Sequence, residues 1–136
     1  VMPLLGADPI NHAYHFLAGN RSLLPNAIVA MCVVGFAEET LFRGFLFERL
    51  QKLFGSGRGA RVAIVFVTSL WFGLAHYSSQ GLAGSEQAFM TGLVFGTAVA
   101  LTRSIYPVMI AHAAFDLAAL AIIYFDVEAA AAHLVM

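Results

Sequence analysis

Three short signatures in this 136-residue chain carry side chains able to do chemistry: Glu38-Glu39-x-x-x-Arg43, Phe72-x-x-x-His76 and His112-x-x-x-Asp116. Residues four apart lie on one face of a helix, so Glu39 and Arg43 can pair there and offset each other's burial. Glu38 points about 100° away and is left without a local partner. A carboxylate so placed can serve as a general base toward water. His112 and Asp116 also share a face, which lets the carboxylate orient the imidazole, or lets both bind one metal or water. Glu38, His76, His112 and Asp116 together offer nitrogen and oxygen ligands of the kind zinc takes, although no helix carries the HExxH spacing. The competing readings are structural: a solvated helix face for Glu38, Glu39, Arg43 and Glu48, a packed or interfacial His76, and a polar pair glueing helices for His112 and Asp116.

The elements that must position these residues are membrane helices. The chain is 60% hydrophobic and only 11% charged, against roughly 25% charged in a soluble domain. A net charge of -1 gives no sign of a nucleic-acid surface, and the expected partner is the lipid bilayer. Four apolar stretches stand out, about Ser22 to Phe54, Ala60 to Ser78, Glu86 to Thr102 and Ile105 to Phe125. Each comes near the roughly 20 residues needed to cross the hydrocarbon as a helix. None alternates with period two, and open strands would leave backbone groups unpaired in lipid. The expected fold is therefore all-α, a polytopic transmembrane helix bundle of about four spans. The glycine-bearing segments "FGSGRGAR", "SSQGLAGSE" and the short "TRSIYP" read as the loops between spans. Residues 1–21 form an N-terminal loop or interfacial segment, 22–125 the membrane-embedded core, and 126–136 a tail with a short surface helix. The chain opens on Val1 without signal-peptide features and reads as a fragment of a larger bundle.

Basic residues orient the bundle. Arg49, Lys52, Arg58 and Arg61 crowd the first loop and Arg103 the third, which places both on the cytoplasmic side. Counting about 1.5 Å per residue from those edges puts Glu38 about 16 Å deep, His76 about 22 Å, His112 about 14 Å and Asp116 about 20 Å. Residues from three different spans thus reach one layer. Ionisable groups at that depth mark function and face a protein interior or water cavity. Gly92 and Gly96 allow close helix packing, Pro107 suits a helix start, and Cys32 reads as packing. His12 and His15, whose spacing can bind metal, lie outside the spans and read as surface or interfacial; His133 has no assigned role.

In this order, with helices between them, the three signatures resemble the motifs of the CPBP family of intramembrane endopeptidases, also called the Abi or CAAX-protease family. The resemblance covers residues 38–116. It implies that Glu38 and His76 activate a water for attack on a peptide carbonyl, and that His112 and its i+4 partner stabilise the oxyanion. Glu39 and Arg43 would support the site and Phe72 would pack beside His76. The CAAX-processing branch typically has Asn where this chain has Asp116, and an ionised Asp cannot donate to an oxyanion. Asp116 would then be protonated, orient His112 or bind metal. The family has been described both as glutamate-dependent and as metal-dependent, so the implied cofactor is none or one divalent metal, zinc first. The implied substrates are prenylated CAAX ends, bacteriocin leader peptides or membrane-protein tails, and the implied location is a prokaryotic cytoplasmic membrane, multi-pass. Two other functions compete with proteolysis: a proton or ion pathway through the buried acids and histidines, and a non-catalytic scaffold of the same fold.

Overall fold

The computed structural model describes Asp8 and residues 10–133, and every regular element among them is helical. A strap of turns with one 3-10 turn at His15–Leu17 leads into α1 (Leu24–Glu39), with Pro25 in its first turn. Proline suits this position because its missing N–H would be unpaired in a first turn anyway. The chain stays helical beyond Glu39. It widens into a π turn over Thr40–Leu46, then narrows again into α2 (Phe47–Phe54), which Gly55 ends at φ 80°. The stretch expected as one long helix is thus continuous, with a π turn placed directly after the two glutamates. Such insertions are frequent at functional sites.

α3 (Arg58–Thr102) departs from the expected pattern. The segment "SSQGLAGSE" reads as a loop from sequence, yet helix runs up to Gln80 and resumes at Leu82, with Gly81 alone non-helical at φ 66° and ψ -165°. Those angles suit only a residue without Cβ, and one glycine suffices to fold α3 back on itself. A Cβ on Gly92 would lie 3.0 Å from Ser69 Cα and one on Gly96 3.2 Å from Val65 Cγ1, so the two limbs pack antiparallel. The Ser85 hydroxyl also donates to the Gly73 carbonyl at 2.8 Å, tying the limbs near the turn. The small polar residues that look like loop are the ones that let helices approach.

α4 (Tyr106–Tyr124) packs along α1, and a turn through Asp126 leads to α5 (Glu128–His133), the expected short tail helix, which buries Glu128 and Ala132. Apolar clusters sit at the two ends of the bundle: Leu17, Ala27, Leu120 and Ile123 at one, Phe47, Ile64 and Val65 at the other. Glu39, Arg43, Thr68, Ser69 and His112 are buried, while Val29, Phe66, Leu74, Val94 and Ile110 are exposed. Charge inside and aliphatic side chains outside is the arrangement lipid favours. α3 and α4 are long and apolar enough to cross a membrane.

Candidate active site

The two glutamates end α1, and the sequence one turn earlier decides what they meet. A Cβ on Gly35 would stand 3.1 Å from the Ala113 backbone nitrogen. Only glycine lets α1 and α4 come this close, and the approach sets Glu39 against His112. Glu39 Oε1 accepts two hydrogen bonds, from Arg43 Nη1 at 2.8 Å and from His112 Nδ1 at 2.8 Å. The Glu39 and Arg43 side chains are both 0% exposed. The Arg43 guanidinium lies 4.4 Å over the Phe72 ring, a favourable cation–π contact in a dry setting.

Glu38 turns the other way, as its helical angle required. It is half-buried, with Oε1 3.9 Å from His76 Nε2 and Oε2 3.7 Å from His112 Nε2. The His76 Nδ1–H donates to the Phe72 carbonyl at 2.8 Å, which turns Nε2 toward Glu38. Asp116 Oδ2 approaches the same His112 Nε2 at 3.7 Å. Phe72 is buried between the two imidazoles, its ring centroid 4.6 Å from that of His76 and 5.8 Å from that of His112. All four residues singled out for chemistry therefore converge, and Glu39, Arg43 and Phe72 pack behind them.

Asp116 does not hold His112 by a hydrogen bond; Glu39 does, from another helix and on the opposite ring nitrogen. The spacing of Glu39 and Arg43 showed one half of this contact but carried no sign of the half made across helices. Phe95, whose ring centroid is 5.7 Å from that of His112, was also missed, and nothing in its local pattern marks it.

The cluster opens into a cavity of about 450 Å³ that reaches toward the Gly81 turn and the strap. One part of its wall is apolar, with Met31, Val34, Phe115 and Leu120, and another carries the neutral polar groups of Ser79, Gln87 and Thr91.

Residues 20–118 match the family described as Rce1-like, type II CAAX prenyl endopeptidase Rce1-like. The chain belongs to this family. All seven residues of the cluster and its support lie inside the matched span. The Rce1-like family is a family of membrane-embedded proteases that act on peptide or protein substrates. No curated protein and no solved structure matches the chain.

Metal dependence has been attributed to such peptidases, and the geometry of this cluster bears on it. Two imidazoles and two carboxylates are suitable zinc donors by type. By spacing they do not form a shell: no three of them bring one ligand atom each within 4.8 Å of one another, whereas neighbouring ligands around tetrahedral zinc stand about 3.3 Å apart. Gaps of 3.7 and 3.9 Å beside Glu38 exceed a direct hydrogen bond, which is where a bridging water fits.

Proposed function

We propose that this Rce1-like chain is the catalytic core of a glutamate-dependent intramembrane endopeptidase. The observation that carries the reading is Glu38, a carboxylate without a hydrogen-bond partner among the described residues that faces the Nε2 atoms of two differently anchored histidines. A water between Glu38 and His76 gives its proton to the Glu38 carboxylate as its oxygen attacks the peptide carbonyl carbon. His76, locked by the Phe72 carbonyl, orients that water. The negative charge that develops on the carbonyl oxygen falls to His112, which donates from Nε2 as an imidazolium matched by Glu39 and Asp116. Collapse of the tetrahedral species breaks the C–N bond, and the proton held by Glu38 passes to the leaving amine. No metal-bound step is needed.

The helix through residues 24–54, the two limbs of α3 and α4 are read as four crossings, with the basic first and third loops on the cytoplasmic side. The mixed cavity wall supports a substrate that pairs peptide backbone with an apolar end, such as a prenylated or membrane-anchored tail. The test compares new protein N-termini in membranes of cells expressing the longest native form of this chain with those of the Glu38→Gln form. Termini that depend on Glu38 establish proteolysis and name the substrate. Identical termini at matched expression would overturn the proposal.

A further inference from the structure

A second group of ligand-type side chains lies away from the catalytic cluster, where the strap meets the far end of α4. Glu128 Oε1 accepts the Asn11 backbone N–H at 2.7 Å, and Glu128 Oε2 lies 3.0 Å from His15 Nδ1. Asp126, in the turn between α4 and α5, faces the same point. One ligand atom each from His15, Asp126 and Glu128 lie within 4.8 Å of one another. His15 and Glu128 are 113 positions apart, so tertiary structure gathers the group and helical repetition does not.

Burial supplies an independent observation. Glu128 is only 6% exposed, and its one ionisable partner among the described residues is His15. The segments before residue 10 and after residue 133 contain no Lys, Arg or His. A buried carboxylate calls for compensation; the Asn11 N–H and His15 supply part of it, and Asp126 beside it adds a second negative group. A divalent cation would meet that need.

We propose that His15, Asp126 and Glu128 bind a divalent transition-metal ion, with zinc the best fit to one imidazole and two carboxylates. The 3.0 Å between His15 Nδ1 and Glu128 Oε2 is close to the roughly 3.3 Å edge of a tetrahedral zinc shell. Asp126 is exposed and His15 partly so, leaving both free to close the remaining gap, with water as the fourth ligand. Asn11, Tyr14 and Leu17 of the strap line the catalytic cavity. An ion here therefore clamps one wall of that cavity and stands apart from the residues that do the chemistry.

The test uses detergent-solubilised full chain stripped with a chelator, titrated with Co²⁺ and followed by visible absorption, then with Zn²⁺ in competition. Wild type and Glu38→Gln are expected to bind alike. His15→Gln and Asp126→Asn, both conservative changes at accessible positions, are each expected to weaken binding by at least about 10–100-fold, the loss seen when even an outer-shell partner is removed. Helical circular dichroism checks that the variants are folded. Absence of binding by wild type, unchanged affinity in both variants, or loss of binding on Glu38→Gln alone would each overturn the proposal. None of these readouts depends on peptidase activity, so the site stands or falls separately from the catalytic reading.

Discussion

The adjacent glutamates should respond to the same conservative substitution in opposite ways. Among the described residues Glu38 makes no direct hydrogen bond, and its nearest basic atoms stand 3.7 and 3.9 Å away. Glu38→Gln should therefore change stability by less than about 1 kcal/mol, while lowering cleavage by about 10²–10⁴-fold if Glu38 is the base. Among the described residues Glu39 is the only carboxylate in hydrogen-bond contact with Arg43, and both side chains are 0% exposed. Glu39→Gln leaves that guanidinium buried and uncompensated, which costs about 3–5 kcal/mol. Arg43→Met should cost a similar amount by stranding Glu39. The double variant removes both charges, while the amide carbonyl that Glu39→Gln introduces can still accept from His112 Nδ1. It should therefore lose less than the two singles added together, with a coupling of about 2–3 kcal/mol. Unfolding in detergent, followed by circular dichroism against temperature or added SDS, reads the stabilities; a peptide reporter in the same detergent reads cleavage. Equal destabilisation by Glu38→Gln and Glu39→Gln, or strict additivity of the pair, would refute the division of labour argued from the geometry.

Three further outcomes follow from particular contacts. Gly35→Val pushes a branched side chain into the Ala113 backbone, which a Cβ alone would already approach to 3.1 Å; it should cost about 1–3 kcal/mol and reduce cleavage by separating Glu39 from His112, and wild-type stability and rate would argue against the close α1–α4 approach. Gly81→Ala places a Cβ at φ 66° and ψ -165°, and should lower stability by about 1–3 kcal/mol in the same unfolding assay. Asp116→Asn and Asp116→Ala both remove the carboxylate that stands 3.7 Å from His112 Nε2 and helps match its imidazolium, and should each lower cleavage by about 10–100-fold; wild-type cleavage in Asp116→Asn would mean that the negative charge is not needed.

What can be read from sequence is what a single helix encodes. The pairing of Glu39 with Arg43, the divergence of Glu38 and the turn shared by Phe72 and His76 follow from 3.6 residues per turn, and the structure keeps all three. Depth counted from basic loop residues then brings three helices to one layer, because a bilayer gives helices a common ruler that water does not. Contacts set by how closely two helices approach stay hidden. The Glu39–His112 hydrogen bond spans 73 positions and depends on the missing side chain of Gly35, while no residue in Thr40–Leu46 announces a π turn. "SSQGLAGSE" misleads because glycine and serine punctuate loops in water but serve as close-packing helix residues in lipid. The same physics explains why two neighbouring glutamates can hold different tasks. A rotation of about 100° between consecutive residues turns one carboxylate toward the α1–α4 seam, where Arg43 and His112 saturate one of its oxygens, and turns the other toward the cavity, where nothing binds it closely. That unequal satisfaction is what fits Glu39 to hold an imidazole in place and leaves Glu38 able to take a proton.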